Sequence, residues 1–156
     1  MQGCDLAAGP FDAIKGNSSR FFMGLIDSFG GSDVDPSTQL RCVGIGYDDT
    51  DTELQVMHND GSGTATKIPL GASFPKPNAD RAFTYRLRLY SPPGSTQSVA
   101  YEVTYLETGA VATGTITSDL PNTSARLAPV IYASVGGVSS VVGIAVGPAT
   151  FQTEPF

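Results

Sequence analysis

Ala82-Phe83-Thr84-Tyr85-Arg86-Leu87-Arg88-Leu89-Tyr90 decides the fold class of this chain. Phe83, Tyr85, Leu87 and Leu89 alternate with Thr84, Arg86, Arg88 and Tyr90, the period of two that marks a strand with one buried face. A Pro92-Pro93-Gly94 turn leads to a second alternating run, with Tyr101, Val103 and Tyr105 on one face and Glu102 and Thr104 on the other. Two such runs joined by a turn predict an antiparallel hairpin at the centre of an all-β protein.

The rest of the chain agrees with that class. Its 156 residues hold 18 Gly and 11 Pro scattered among Val, Thr, Tyr and Phe, with few runs suited to helix. That composition and length predict one antiparallel β-sandwich of jelly-roll type with roughly nine to twelve strands. Arg20 to Asp27 is apolar on both faces, as a central strand covered on each side must be, either by a second sheet or by a neighbouring subunit. Arg41 to Tyr47 places Gly44 and Gly46 on one face, where another backbone or an aromatic ring can approach closely. Glu53 to His58 and Thr64 to Leu70 flank the turn Asn59-Asp60-Gly61-Ser62-Gly63. Gly71 to Asp80, with Pro75 and Pro77 flanking Lys76, predicts a surface loop. Ala110 to Thr117, Leu127 to Ala133, Val141 to Val146 and Thr150 to Thr153 complete the strands. Residues 1–19 mix turn formers with isolated apolar residues and predict a short strand or an irregular N-terminal arm or attachment segment, set apart from a domain over 20–156.

Charge and hydropathy narrow the partners. A net charge of −6 leaves too few Lys and Arg for a phosphate-tracking surface, so nucleic acid is not an expected partner. No apolar run approaches the ~20 residues of a membrane span, so membrane insertion is not expected either. Met1-Gln2-Gly3-Cys4 has neither the basic leader nor the apolar core of a secretory signal. Cys42 sits in the apolar run Cys42-Val43-Gly44-Ile45 and predicts a buried free thiol rather than a bridge to Cys4. Two distant cysteines and a single His do not make a zinc site.

Candidate chemistry is sparse. His58 stands at a strand end beside Asn59 and Asp60, where a turn-capping or solvent-facing role is expected in preference to a general base. Asp48, Asp49, Asp51 and Glu53 place four acids within six positions. A glycosidase needs two of them and aromatic platforms, and the chain has no Trp. Leu54 stands where an EF-hand requires Gly, so no metal is expected; calcium, if bound, would use Asp48, Asp49 or Asp51 on the sandwich rim. Arg86, Arg88 and Tyr90 share the polar face of one strand, a set that can hydrogen-bond hydroxyls, pair with sugar acids and stack on a pyranose ring. The competing reading is an ordinary solvated face.

Arg20-Phe21-Phe22-Met23-Gly24-Leu25, Cys42-Val43-Gly44-Ile45-Gly46-Tyr47-Asp48, Leu54 to Gly63, Tyr85 to Leu89, Val99 to Val103 and Thr108-Gly109 follow one another in an order that resembles concanavalin A-like domains of tailed-bacteriophage virion proteins. The resemblance spans about residues 20–154. It implies two curved antiparallel sheets, a homotrimer, other phage structural proteins as partners, and a place on the virion surface. It further implies a non-enzymatic tail fibre or spike module that recognises a host surface polysaccharide; no family sugar-binding motif is matched, and the residues expected from their own chemistry to meet the glycan are Arg86, Arg88, Tyr90, His58, Asn59 and Asp60, with the loops Asp48 to Asp51, Asn59 to Gly63 and Pro75 to Asp80. The alternative is a capsid decoration or tail connector protein without sugar binding.

Overall fold

The alternation around Leu87 is a strand with one face in the core: Tyr85, Leu87 and Leu89 are buried and Arg86, Arg88 and Tyr90 are exposed. The computed structural model describes residues 3–12, 19–31, 33–77, 83–94, 97–136 and 141–152, the side chains of 11 and 12 excepted. Their strands are β1 (Gly3–Asp12), β2 (Arg20–Ile26), β3 (Cys42–Tyr47), β4 (Gln55–Asn59), β5 (Thr66–Pro69), β6 (Tyr85–Tyr90), β7 (Val99–Tyr105), β8 (Ala110–Ile116), β9 (Ala128–Ser134) and β10 (Val142–Gln152). Sheet A has the order β10-β1-β6-β7-β8 and sheet B the order β5-β4-β3-β2-β9. Every neighbouring pair is antiparallel. Contacts of β1 with β2, β3 with β6 and β9 with β10 lay one sheet over the other. The protein is an antiparallel β-sandwich, jelly-roll-like in its crossings between layers.

The core fills the space between the sheets with Leu6, Phe21, Met23, Ile45, Tyr47, Val56, Tyr85, Leu87 and Val103. Each such side chain contributes ~1.5–3 kcal/mol by leaving water. Tyr85 and Tyr105 pack with ring centroids 5.0 Å apart, and Phe83 lies 5.7 Å from Tyr105. Ala110, Ala112 and Gly114 line the inner face of β8 opposite Tyr105, Val103 and Tyr101, so small residues there give the aromatic rings room.

Gly24 and Gly44 face each other across β2 and β3. A Cβ at Gly44 would stand 2.8 Å from the Phe22 ring, so the pair of glycines lets that ring lie against the sheet, the close aromatic approach that the sequence predicted. Phe22 belongs to a second buried cluster with Ile26, Cys42, Met57, Ala65 and Tyr132, on the outer side of sheet B. What covers it departs from expectation. Sheet A covers only the inner face of β2; the outer face is covered by the chain's own connection between β2 and β3. Phe29 packs edge-on against Tyr132 at 4.8 Å, and the Ala65 N–H donates to the Ser37 carbonyl at 2.7 Å. Gln39, itself buried, accepts from the Gly30 N–H at 2.9 Å.

Of the two readings of residues 1–19, the strand holds over residues 3–12: β1 is paired on both sides, with Leu6 opposite Leu87 of β6 and opposite Ala149 of β10. Cys4, Leu6 and Ala8 supply its buried face, an alternation that small residues disguise. Val141–Val146 and Thr150–Thr153 are not two strands, because β10 runs through Gly147-Pro148 with a register shift opposite Leu6 and Ala8. β10 is an edge strand, where a bulge and a proline without an N–H are tolerated. In the predicted loop from Gly71 to Asp80, Ala72 and Ser73 are exposed as expected, but Lys76 is not. Lys76 is buried, its Nζ donating to the carbonyls of Asp48 at 3.1 Å and Asp49 at 2.7 Å and lying 5.0 Å from the Tyr47 ring centroid.

A polar groove on the outer face of sheet A

Because Cys4, Leu6 and Ala8 point into the core, Gly3, Asp5 and Ala7 point outward from β1. The ladders then align a row of polar side chains across the sheet. Thr150 stands opposite Asp5, Asp5 opposite Arg88, Arg88 opposite Glu102, and Glu102 opposite Thr113. The next row places Gly3 between Gln152 and Tyr90. With no side chain at Gly3, the surface sinks between its neighbours into a groove of about 320 Å³, walled by Tyr90, Arg88, Asp5, Thr150 and Gln152 and reaching Glu102.

The charges in the row are arranged in two unequal pairs. Arg86 grips Asp5 with two parallel bonds, Nε to Oδ1 at 2.8 Å and Nη2 to Oδ2. That hydrogen bond, against a weaker opposing effect of burial and with the positive charges of Arg86 and Arg88, holds the Asp5 carboxyl below its ordinary range. Arg86 is in turn raised by the same bond and by the Asp5 charge. Arg88 is held more loosely, its Nη1 donating to Glu102 Oε1 at 3.2 Å and its Nε standing 3.8 Å from Asp5 Oδ2. About half of its side chain is exposed. A guanidinium carries five N–H donors, so Arg88 is equipped to bond a ligand alongside Glu102.

The groove therefore offers carboxylate acceptors, guanidinium donors, a hydroxyl, an amide and a half-exposed tyrosine within one depression. A polyhydroxylated ring matches this set, its hydroxyls bonding in both senses and its apolar face lying on an aromatic ring. Beside it, sharing Gly3, Tyr90 and Gln152, an apolar cleft of about 360 Å³ opens toward the core between Leu89 and Val99 of one sheet and Leu25 and Val43 of the other.

Of the residues named from sequence, Arg88 and Tyr90 line this groove, and Arg86 reaches it through its bond to Asp5. His58, Asn59 and Asp60 do not join them, because β4 lies in sheet B. His58 is not solvent-facing: it is 3% exposed, with Nδ1 3.0 Å from the Asp119 carbonyl oxygen. Asn59 is buried too, and its Oδ1 accepts from the N–H groups of Gly61 and Ser62. The Asp60 N–H donates to Asp119 Oδ1 at 3.0 Å, while the Asp60 carboxylate accepts from Ser62. His58 and the Asp60 N–H tie the β4–β5 turn to the β8–β9 crossover, and Asn59 closes the turn itself. Sequence reasoning missed Gly3, Asp5, Thr150 and Gln152 as contributors. Only the pairing of β1 with β6 and β10 brings them to the arginines.

The acidic turn at the other end of β4 is spoken for by the chain's own cations. Lys67 Nζ donates to Asp48 Oδ2 at 3.0 Å and to Asp51 Oδ1 at 2.7 Å. Burial lowers the Lys67 pKa, and the bonds from Asp51 and Asp48 outweigh that effect and raise it. Arg20 Nη2 lies 3.3 Å from Asp49 Oδ2. Asp48 Oδ1 accepts from the Ser37 N–H at 3.0 Å. Lys67 stands where calcium would have to sit, so these residues do not fit the ion. Among the described residues no group of three or more His, Cys, Asp or Glu side chains is disposed to hold a metal. Pro75 to Pro77 pack onto this turn, away from Asn59–Gly63, and residues 78–80 lie outside the described residues.

No protein-family model matches the chain, and no curated protein matches it.

Proposed function

We propose that this chain is a bacteriophage virion surface protein of the tail fibre or spike type, which binds a host surface glycan in the groove of sheet A without cleaving it. The observation that carries the reading is the row Asp5, Arg88 and Glu102 beside the Gly3 depression and the Tyr90 ring. Rigid strands hold these groups, which favours recognition, since a site on paired strands keeps its geometry without ordering cost. Asp5 is not suited to serve as the acid of a glycosidase. Cleavage of a glycoside requires a carboxyl group kept protonated as the acid, whereas Arg86 holds Asp5 ionised.

The test is saturable binding of the purified protein to bacterial cells and their extracted surface polysaccharides, with reducing ends followed in parallel. Binding without sugar release, lost in Tyr90→Ala, is the expected result. Release of reducing ends overturns the non-enzymatic reading. Binding to no polysaccharide, with the fold intact, overturns the receptor-binding reading in favour of a decoration or connector role.

A further inference from the structure

The apolar cleft beside the groove is part of the same depression. It shares Gly3, Cys4, Leu89, Tyr90 and Gln152 with the groove, so the space of about 320 Å³ runs over Gly3 into the space of about 360 Å³ without a side chain to part them. The two halves differ in chemistry. No charged residue lines the cleft, whose walls include Leu25, Val43, Val99, Leu127 and Phe151, with Ala125 contributed by the β8–β9 connection. Val43 is buried, whereas Leu25, Val99 and Leu127 pack against the core while only partly buried, and Phe151 is 49% exposed. Apolar walls left partly exposed in a concave site gain free energy when an apolar ligand group covers them. In the groove the charges cancel, since Arg86 is paired with Asp5 and Arg88 with Glu102.

We propose that the glycan read by this groove is a neutral sugar with one hydroxyl esterified by a short acyl chain, the ring lying in the groove and the chain in the cleft beyond Gly3. The inference rests on the glycan-binding reading above and names the class of sugar. Neutrality follows from the pairing, because two guanidinium groups matched by two carboxylates leave no surplus cation for a sugar acid. The acyl chain follows from the cleft. An unsubstituted ring would press hydroxyls against Leu25, Val43 and Val99, where they lose water and gain no hydrogen-bond partner. Esterification puts an apolar group on the ring in place of one of those hydroxyls and adds no charge. A surface polysaccharide is the source, because the acyl chains of a glycolipid lie inside its bilayer and a protein of net charge −6 is repelled from an anionic membrane surface.

Calorimetric titration of the full chain with a bacterial polysaccharide that it binds, before and after mild saponification, tests this. Saponification removes ester-linked acyl groups and leaves the sugar backbone and its amides. Each apolar carbon buried is worth about fourfold in affinity, so the loss on saponification should be roughly tenfold or more. Equal affinity before and after overturns this inference and leaves the glycan-binding reading standing; binding to no polysaccharide overturns both. Ala125→Trp fills the cleft from a loop and should lower the affinity for the native polysaccharide to that for the saponified one, with an unchanged circular dichroism spectrum. A folded Ala125→Trp variant that binds the native polysaccharide as the parent does overturns the inference. Methyl butanoate, an acyl ester without a sugar, probes the cleft alone. In NMR spectra of the methyl-labelled chain it should shift the signals of Leu25, Val43, Val99 and Leu127 and leave those of Ile45 and Val103, buried in the core, in place. Unshifted cleft signals, whether the cleft is closed or holds another copy of the chain, overturn the inference.

Discussion

Gly3 lies directly opposite Tyr90 across the β1–β6 ladder, and the missing side chain at Gly3 is what opens the groove beside the Tyr90 ring. A Cβ there would stand 2.8 Å from the Leu89 carbonyl oxygen and 3.3 Å from Tyr90 Cβ. Gly3→Leu is therefore expected to fill the groove and shift the end of β1, abolishing glycan binding at a stability cost of ~1–3 kcal/mol. Calorimetric titration of the variant against a polysaccharide bound by the parent checks it. Retained affinity would place the ligand elsewhere.

Leu87 and its neighbours Arg86 and Arg88 separate stability from recognition along a single strand. Leu87 is fully buried between the sheets, so Leu87→Ala should cost ~2–5 kcal/mol, read as a lower urea midpoint. Arg86→Ala with Arg88→Ala removes exposed pairs, each worth ~0–1 kcal/mol, and should lower the midpoint clearly less than Leu87→Ala does while weakening glycan binding. A double variant that unfolds as early as Leu87→Ala, or one that binds as the parent does, contradicts this division.

The same strand marks how far the sequence could be read. Around Leu87 large apolar and charged residues alternate, so period, face and hairpin partner were all legible. β1 was not, because its buried face is Cys4, Leu6 and Ala8 and its exposed face includes Gly3 and Ala7, a contrast in hydropathy too weak to show a period. Half of the groove depends on β1 and on its pairing with β10, a contact between the two ends of the chain that no local pattern encodes. The acids at Asp48 to Asp51 were legible as a cluster. Their partners Lys67 and Lys76 arrive from β5 and the following loop, so the cluster looked open when it is filled. His58 was legible as a strand end, but its cover is Asp119, 61 residues away.

Lys67 should behave as the resident cation of that acidic turn. Lys67→Met leaves the Asp48 and Asp51 carboxylates facing each other and is expected to destabilise the fold by ~1–3 kcal/mol. Its raised pKa fixes the sign of the pH effect. The contribution is present below the ordinary lysine value of 10.5 and is lost as pH rises through the higher folded value. In the parent, neither EDTA nor added calcium should move the thermal midpoint. A calcium-dependent rise in the parent would show that the ion displaces Lys67.

The two thiols should be inert and separate. Cys4 lies in the core between the sheets and Cys42 in the cluster outside sheet B, so sheet B stands between them and both are free. Burial is the main cause that pushes Cys4 up to about 11 and Cys42 up to about 12, so neither forms appreciable thiolate at neutral pH. A thiol-reactive dye at pH 8 should label fewer than one cysteine per native chain and both after denaturation. Rapid labelling of both in the native protein would contradict this packing.

Acid should act on the groove before it acts on the core. Asp5 has a folded pKa below its ordinary 3.8, chiefly through the Arg86 bond, so its contribution to stability is complete above that value. It is lost as pH falls through the depressed folded value. Arg86→Met removes the cause, so the parent and the variant should differ in thermal midpoint at pH 6 and converge toward pH 2. The pair is largely exposed, which limits the difference to ~1 kcal/mol, or ~2–4 °C for a chain of this size. A difference that stays constant from pH 6 to pH 2 would mean that Arg86 stabilises the sheet through its packing and not through the Asp5 carboxylate. The glycan-binding role would then rest on Arg88, Glu102 and Tyr90 without a charge-ordered Asp5.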